Sequence, residues 1–87
     1  MLTLAPSKEE INNLIKLFNA KKYEKAIAIA IKFTKKFPRH PFGWKALGAI
    51  YSQTGNSIKA ISANIKSIKI NPKDAEAYSN LGNIYRE

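Results

Sequence analysis

Residues 41–74 read PFGWKALGAIYSQTGNSIKAISANIKSIKINPKD, and residues 75–87 read AEAYSNLGNIYRE. The second stretch restarts the first. Trp44, Leu47, Gly48 and Tyr51 are answered 34 residues later by Tyr78, Leu81, Gly82 and Tyr85. Pro38 and Pro72 stand at the same offset, as do Ala26 and Ala60. A fixed period of this length marks a chain assembled from stacked units, none of which buries its apolar face alone.

Inside each unit the apolar spacing is helical. Ser7 followed by Glu10 is a capping-box pair, and Ile11, Leu14, Ile15 and Phe18 then recur on one helical face. Ala20-Lys21-Lys22 makes a turn into a second helix, from Tyr23 to about Lys36, which the Pro38 and Pro41 segment ends. Pro41 suits the first turn of a third helix, which runs to Thr54 and stops at Gly55. Asn56 or Ser57 caps a fourth, ending near Ile70 before Asn71-Pro72, and Asp74 caps a fifth, from Ala75 to the end of the sequence. Helices two and four are isoleucine-rich and locally strand-prone, but their length and interspersed alanines decide for helix. Gly48 and Gly82 lie within helices, where glycine costs about 1 kcal/mol relative to alanine, so they are expected to admit a closely packed neighbour.

The first helix fits the period less well. Subtracting 34 from the Trp44, Leu47, Gly48, Tyr51 set lands on Glu10, Asn13, Leu14 and Leu17, whereas 33 lands on Ile11, Leu14, Ile15 and Phe18. The apolar match at 33 predicts that the first turn is one residue shorter than the second, where Gly55 has no glycine counterpart.

A 34-residue helix-turn-helix unit with W-x2-L-G-x2-Y, a later alanine and a closing proline resembles the tetratricopeptide repeat. The resemblance implies an all-α solenoid: antiparallel helix-turn-helix repeats in a right-handed superhelix, five helices in all. It divides a single domain, 1–87, into repeat 1 (about 7–40), repeat 2 (about 41–74) and the first helix of repeat 3 (about 75–87). Two positions depart from the family pattern: Asn64 stands where an aromatic is usual, and Ser67 where alanine is usual. Trp44, Tyr51, Tyr78 and Tyr85 are read as inter-helix core.

In this family the first helices line a concave groove that receives an extended peptide. Mapped onto the sequence, the resemblance implies groove positions at Asn12, Asn13, Lys16 and Asn19 in repeat 1. Phe42, Lys45, Ala49 and Ser52 follow in repeat 2, and Ser79, Asn80, Asn83 and Arg86 in repeat 3. Glu9, Ala46, Gln53 and Glu76 fall on the same rows, with Asn13 and Asn80 read as equivalent. Side-chain amides both donate and accept, which suits a peptide backbone of any sequence. The family's carboxylate clamp is incomplete, since Ala49 follows Lys45 where an asparagine is wanted.

With 15 Lys+Arg against 6 Asp+Glu, the formal net charge is +9. Much of the excess is periodic. Lys25, Lys32, Lys35 and Arg39 precede Lys59, Lys66, Lys69 and Lys73 by 34 residues, which predicts a basic band on the convex side. That band is a candidate for an anionic polymer or membrane surface. Lysines outnumber arginines and no exposed aromatic is expected among them, which argues against sequence-specific nucleic-acid recognition.

No catalytic set is visible, and no metal or cofactor is expected. The sequence has no cysteine and one histidine, His40, placed in a helix connection as a linker or cap. Glu9, Glu10, Asp74 and Glu76 cluster at helix starts, where capping and the macrodipole account for them. No apolar run nears the roughly 20 residues of a membrane span, and MLTLAPSKEE lacks a signal peptide's features, so a soluble, cytoplasmic protein is expected. The last helix is read as an internal one from a longer array. Leu81, Ile84 and Tyr85 would face a missing neighbour there and invite self-association. The leading expectation is a non-catalytic protein-interaction module that takes a peptide or partner segment in its groove. The alternatives are a substrate-recruiting N-terminal region of a larger, glycosyltransferase-like enzyme, and a basic convex face engaging an anionic polymer or membrane.

Overall fold

Capping and periodicity place the elements. A computed structural model describes residues 5–86, with the Arg86 side chain outside that description. The helices are α1 (Lys8–Asn19), α2 (Tyr23–Lys36), α3 (Pro41–Gln53), α4 (Ser57–Ile70) and α5 (Ala75–Arg86). Ser7 and Glu10 close the capping box of α1: the Glu10 N–H donates to Ser7 Oγ at 3.1 Å and the Ser7 N–H to Glu10 Oε1 at 2.9 Å. His40 caps α3, its Nδ1 accepting from the Phe42 N–H at 3.2 Å, with Pro41 opening the helix. Asn56 caps α4, and Asp74 Oδ1 accepts from the Glu76 and Ala77 N–H groups at the start of α5.

The first turn is not shortened. In the α1–α2 turn the Ala20, Lys21 and Lys22 N–H groups donate to Lys16, Phe18 and Leu17 carbonyls. In the α3–α4 turn Thr54, Gly55 and Asn56 donate to Ile50, Ser52 and Tyr51, the same bonds 34 residues on. Lys21 takes the left-handed conformation at φ 60°, where Gly55 has φ 79°. A lysine therefore does a glycine's work, and the 34-residue period holds through α1.

That register exchanges partners in the core. Leu14 occupies the place of Gly48, and Ala30 that of Asn64. In the first hairpin the large side chain stands on α1 and the small one on α2; in the second the sizes are reversed. Leu14, Ala30 and Asn64 are all buried. A Cβ at Gly48 would come within 2.6 Å of the Asn64 amide, so Gly48 does admit the second helix of its own hairpin. Gly82 meets nothing within 4 Å, so the same marker has no such neighbour on α5.

Leu14, Ala26, Ala30, Phe33, Phe37, Leu47, Ile50 and Ala63 form one core cluster running from α1 into α4. Helices adjacent in sequence pack on one another, α3 with α4 most extensively, and α5 rests mainly on α4. The aromatic expectation holds only in part. Trp44 and Tyr51 are half-buried against the core, but Tyr78 and Tyr85 are exposed at 49% and 64%. The expectation that Ile84 faces outward is also corrected. It is buried, at the position equivalent to Ile50, leaving Tyr85 and the partly covered Leu81 on the open side. No helix among the described residues is long and apolar enough to cross a membrane.

Candidate functional site

Helices α1, α3 and α5 border a common cleft. Its apolar part, about 260 Å³, is floored by Leu14, Ile15 and Phe18 of α1 and by Phe42, Ala46 and Ala49 of α3. Lys45, Glu76 and Asn80 stand at its edge, and a more polar continuation adds Ser52, Gln53 and Asn83. Six of the groove positions read from the sequence, Phe42, Lys45, Ala49, Ser52, Asn80 and Asn83, thus come together here.

The remaining positions lie elsewhere. Asn12, Asn13, Lys16 and Asn19 are exposed on α1 but do not line the cleft, and Ser79 is exposed on α5 outside it. Arg86 lies outside the described side chains. The corrected register explains α1. Ile15 and Phe18 are equivalent to Ala49 and Ser52, so they turn to the cleft, while Asn13 and Lys16 match Leu47 and Ile50. Those two are buried on α3, whereas Asn13 and Lys16 are exposed. The amide of α1 equivalent to Asn80 is therefore Asn12, with Ala46 between them.

Lys45 is tied. Its Nζ lies 3.0 Å from Asp74 Oδ2 and 3.3 Å from Glu76 Oε2. Burial works against the Lys45 charge, but hydrogen bonds and charge from Asp74 and Glu76 outweigh it and hold the ammonium above its ordinary value. The hydrogen bond from Lys45 is the chief cause holding the Asp74 carboxyl below its ordinary range; burial opposes it, and the Ala77 N–H assists. Asp74 thus caps α5 and binds it to α3 at once. Sequence spacing alone could not disclose this, since Lys45 and Asp74 meet only across the α3–α5 contact.

Lys25, Lys32, Lys35, Arg39, Lys59, Lys66, Lys69 and Lys73 are all exposed, and none of them lines the cleft. Two of them cover aromatic rings: Lys66 Nζ sits 4.7 Å from the Trp44 ring centre and Lys59 Nζ 5.6 Å from that of Tyr51. These rings are half-buried, and their faces are occupied by lysine.

Five helices, each packed on its neighbour in sequence and three of them bordering one cleft, define a helical-repeat protein of the α-solenoid class. Residues 65–87 match a family model described as tetratricopeptide repeat. The UDP-N-acetylglucosamine--peptide N-acetylglucosaminyltransferase of Caenorhabditis elegans is 51% identical over 41 residues, which is 47% of this chain and 4% of that enzyme. The tetratricopeptide-repeat match at residues 65–87 and the five antiparallel helices make the array similar to tetratricopeptide repeats. The chain matches a very small part of the transferase's length.

Proposed function

We propose that this chain is a non-catalytic interaction module, two helical hairpins and the first helix of a third, that holds an extended segment of a protein partner between α1, α3 and α5. The observation that carries the reading is the continuous cleft, apolar between α1 and α3 and amide-lined toward α5. Apolar floors supply affinity, and a few placed polar groups orient the ligand. Asn80 and Asn83 are the groups to pair with a peptide backbone, and on α1 Ile15 and Phe18 make the floor. Selecting binders from a displayed random-peptide library and titrating them by amide chemical-shift mapping tests this. Shifts should centre on Phe42, Ala49 and Asn80, and the Asn80→Ala/Asn83→Ala variant should bind about tenfold more weakly. Shifts confined to α2 and α4 would move the site to the other face.

A second reading rests on the 41-residue likeness: the helices are a recruiting segment of a larger enzyme, as a glycosyltransferase would use. Reading the gene beyond these residues decides it, since a catalytic domain in frame supports this reading and a stop codon or repeats alone oppose it.

A further inference from the structure

The cleft and the rest of the molecule carry opposite charge. The chain is formally +9, yet the charged side chains lining the apolar part of the cleft are Lys45 and Glu76, and Lys45 is engaged by two carboxylates. Lys45, Asp74 and Glu76 together leave one negative charge in excess, and the Glu76 side chain, 72% exposed, presents it to the cleft.

We propose that the cleft selects a segment in which a bulky apolar residue lies beside a lysine or arginine, and discriminates against acidic segments and free terminal carboxylates. This deepens the cleft reading and rests on it. An ammonium has three N–H donors, and two of those of Lys45 are directed at Asp74 and Glu76. A ligand carboxylate reaching Lys45 finds its charge already shared by two carboxylates and is repelled by the excess negative charge of Asp74 and Glu76 beside it. A basic side chain meets the exposed Glu76 carboxylate without breaking anything. The apolar neighbour is dictated by the floor of Ile15, Phe18, Phe42, Ala46 and Ala49. Glu76 borders both the apolar part and its polar continuation, so the two ligand residues are near neighbours along the segment.

The periodic lysines do not overturn this polarity. None of those lysines lines the cleft, and exposed charges are screened over about 8 Å at physiological salt. At the cleft, the local carboxylates dominate.

Fluorescence anisotropy on the 87-residue chain with four labelled, glycine-serine-based peptide probes tests the proposal. Three carry an amidated C-terminus and a central Leu-Lys, Leu-Glu or Ala-Lys pair; the fourth ends in Leu with a free carboxylate. The Leu-Lys probe should bind about tenfold more tightly than the Leu-Glu and free-carboxylate probes. Glu76→Gln should narrow that gap and Glu76→Lys should invert it, both keeping the Asp74 cap. Equal affinity for Leu-Lys and Leu-Glu, or tighter binding of an acidic probe, overturns the charge selection. In that event, weaker binding of Ala-Lys than of Leu-Lys still upholds the cleft itself. Failure of every probe to bind overturns both.

Discussion

Gly48 and Asn64 are a matched pair, and neither is replaceable alone. Alanine at 48 gains up to about 1 kcal/mol of helix propensity, but its Cβ would meet the Asn64 amide at 2.6 Å across the largest helix interface. Asn64 is fully buried, with its Nδ2 donating to the Ala60 carbonyl and its Oδ1 lacking a protein partner. Gly48→Ala is therefore expected to lower stability by about 1–3 kcal/mol, the usual range for overpacking. Asn64→Ala in the same chain should restore most of the loss, because it removes both the clash and the orphaned oxygen. Urea denaturation of the two singles and the double closes the cycle; a stabilising Gly48→Ala single would show that the helices separate freely. Lys21 offers the opposite case. Its left-handed backbone, φ 60°, strains any side chain, so Lys21→Gly should stabilise by about 0.5–1 kcal/mol. An unchanged or lower denaturation midpoint would contradict that.

At the scale of elements, one residue both caps α5 and ties it to α3. Asp74 caps the helix and bonds Lys45, so its loss removes a cap and the tie to α3 together. Its carboxyl is held below its ordinary 3.8, so its stabilisation is complete above that value and disappears as pH falls through the lowered one. The Lys45 ammonium is held above its ordinary 10.5, so its contribution is complete below that value and disappears as pH rises through the raised one. Hydrogen exchange should show α5 amides protected across the interval between, and loosening toward acid before α2 and α3. Asp74→Ala should cost about 1–2 kcal/mol and erase the acid loosening; if α5 still loosens first in that variant, another carboxylate is responsible. Helix positions were legible in the sequence because caps and apolar spacing are local. The α1 cleft face was not. Gly55 without a glycine counterpart suggested a deletion, whereas the backbone accepted Lys21 in a left-handed turn, and one residue of register turned Ile15 and Phe18 toward the cleft. The Lys45 bond and the exposure of Tyr78 and Tyr85 depend on which helices lie alongside, which no local pattern encodes.

At the scale of the whole molecule, charge is sorted: carboxylates edge the cleft, and the exposed periodic lysines of α2 and α4 do not line it. The two should be separable by experiment. Lysines on α2 and α4 follow the helix axes at seven-residue spacing, about 10.5 Å at 1.5 Å per residue, and they are point charges without the forked geometry that reads bases. Retention on heparin should therefore come from the band alone and fall steeply with salt. The choice of variants matters. Lys59 and Lys66 lie over Tyr51 and Trp44, so replacing them also uncovers aromatic surface and weakens the α3–α4 contact. Lys32, Lys35 and Lys69 are exposed, with no ring contact or ion pair recorded among the described residues. Lys32→Glu/Lys35→Glu/Lys69→Glu is expected to elute at distinctly lower salt with peptide affinity changed less than about twofold, since none of its sites lines the cleft and exposed charges are screened by salt. Asn80→Ala/Asn83→Ala should do the reverse. Were the lysine triple to lose peptide binding while keeping its fold, the two faces would be one site and the separation of charge would be incidental.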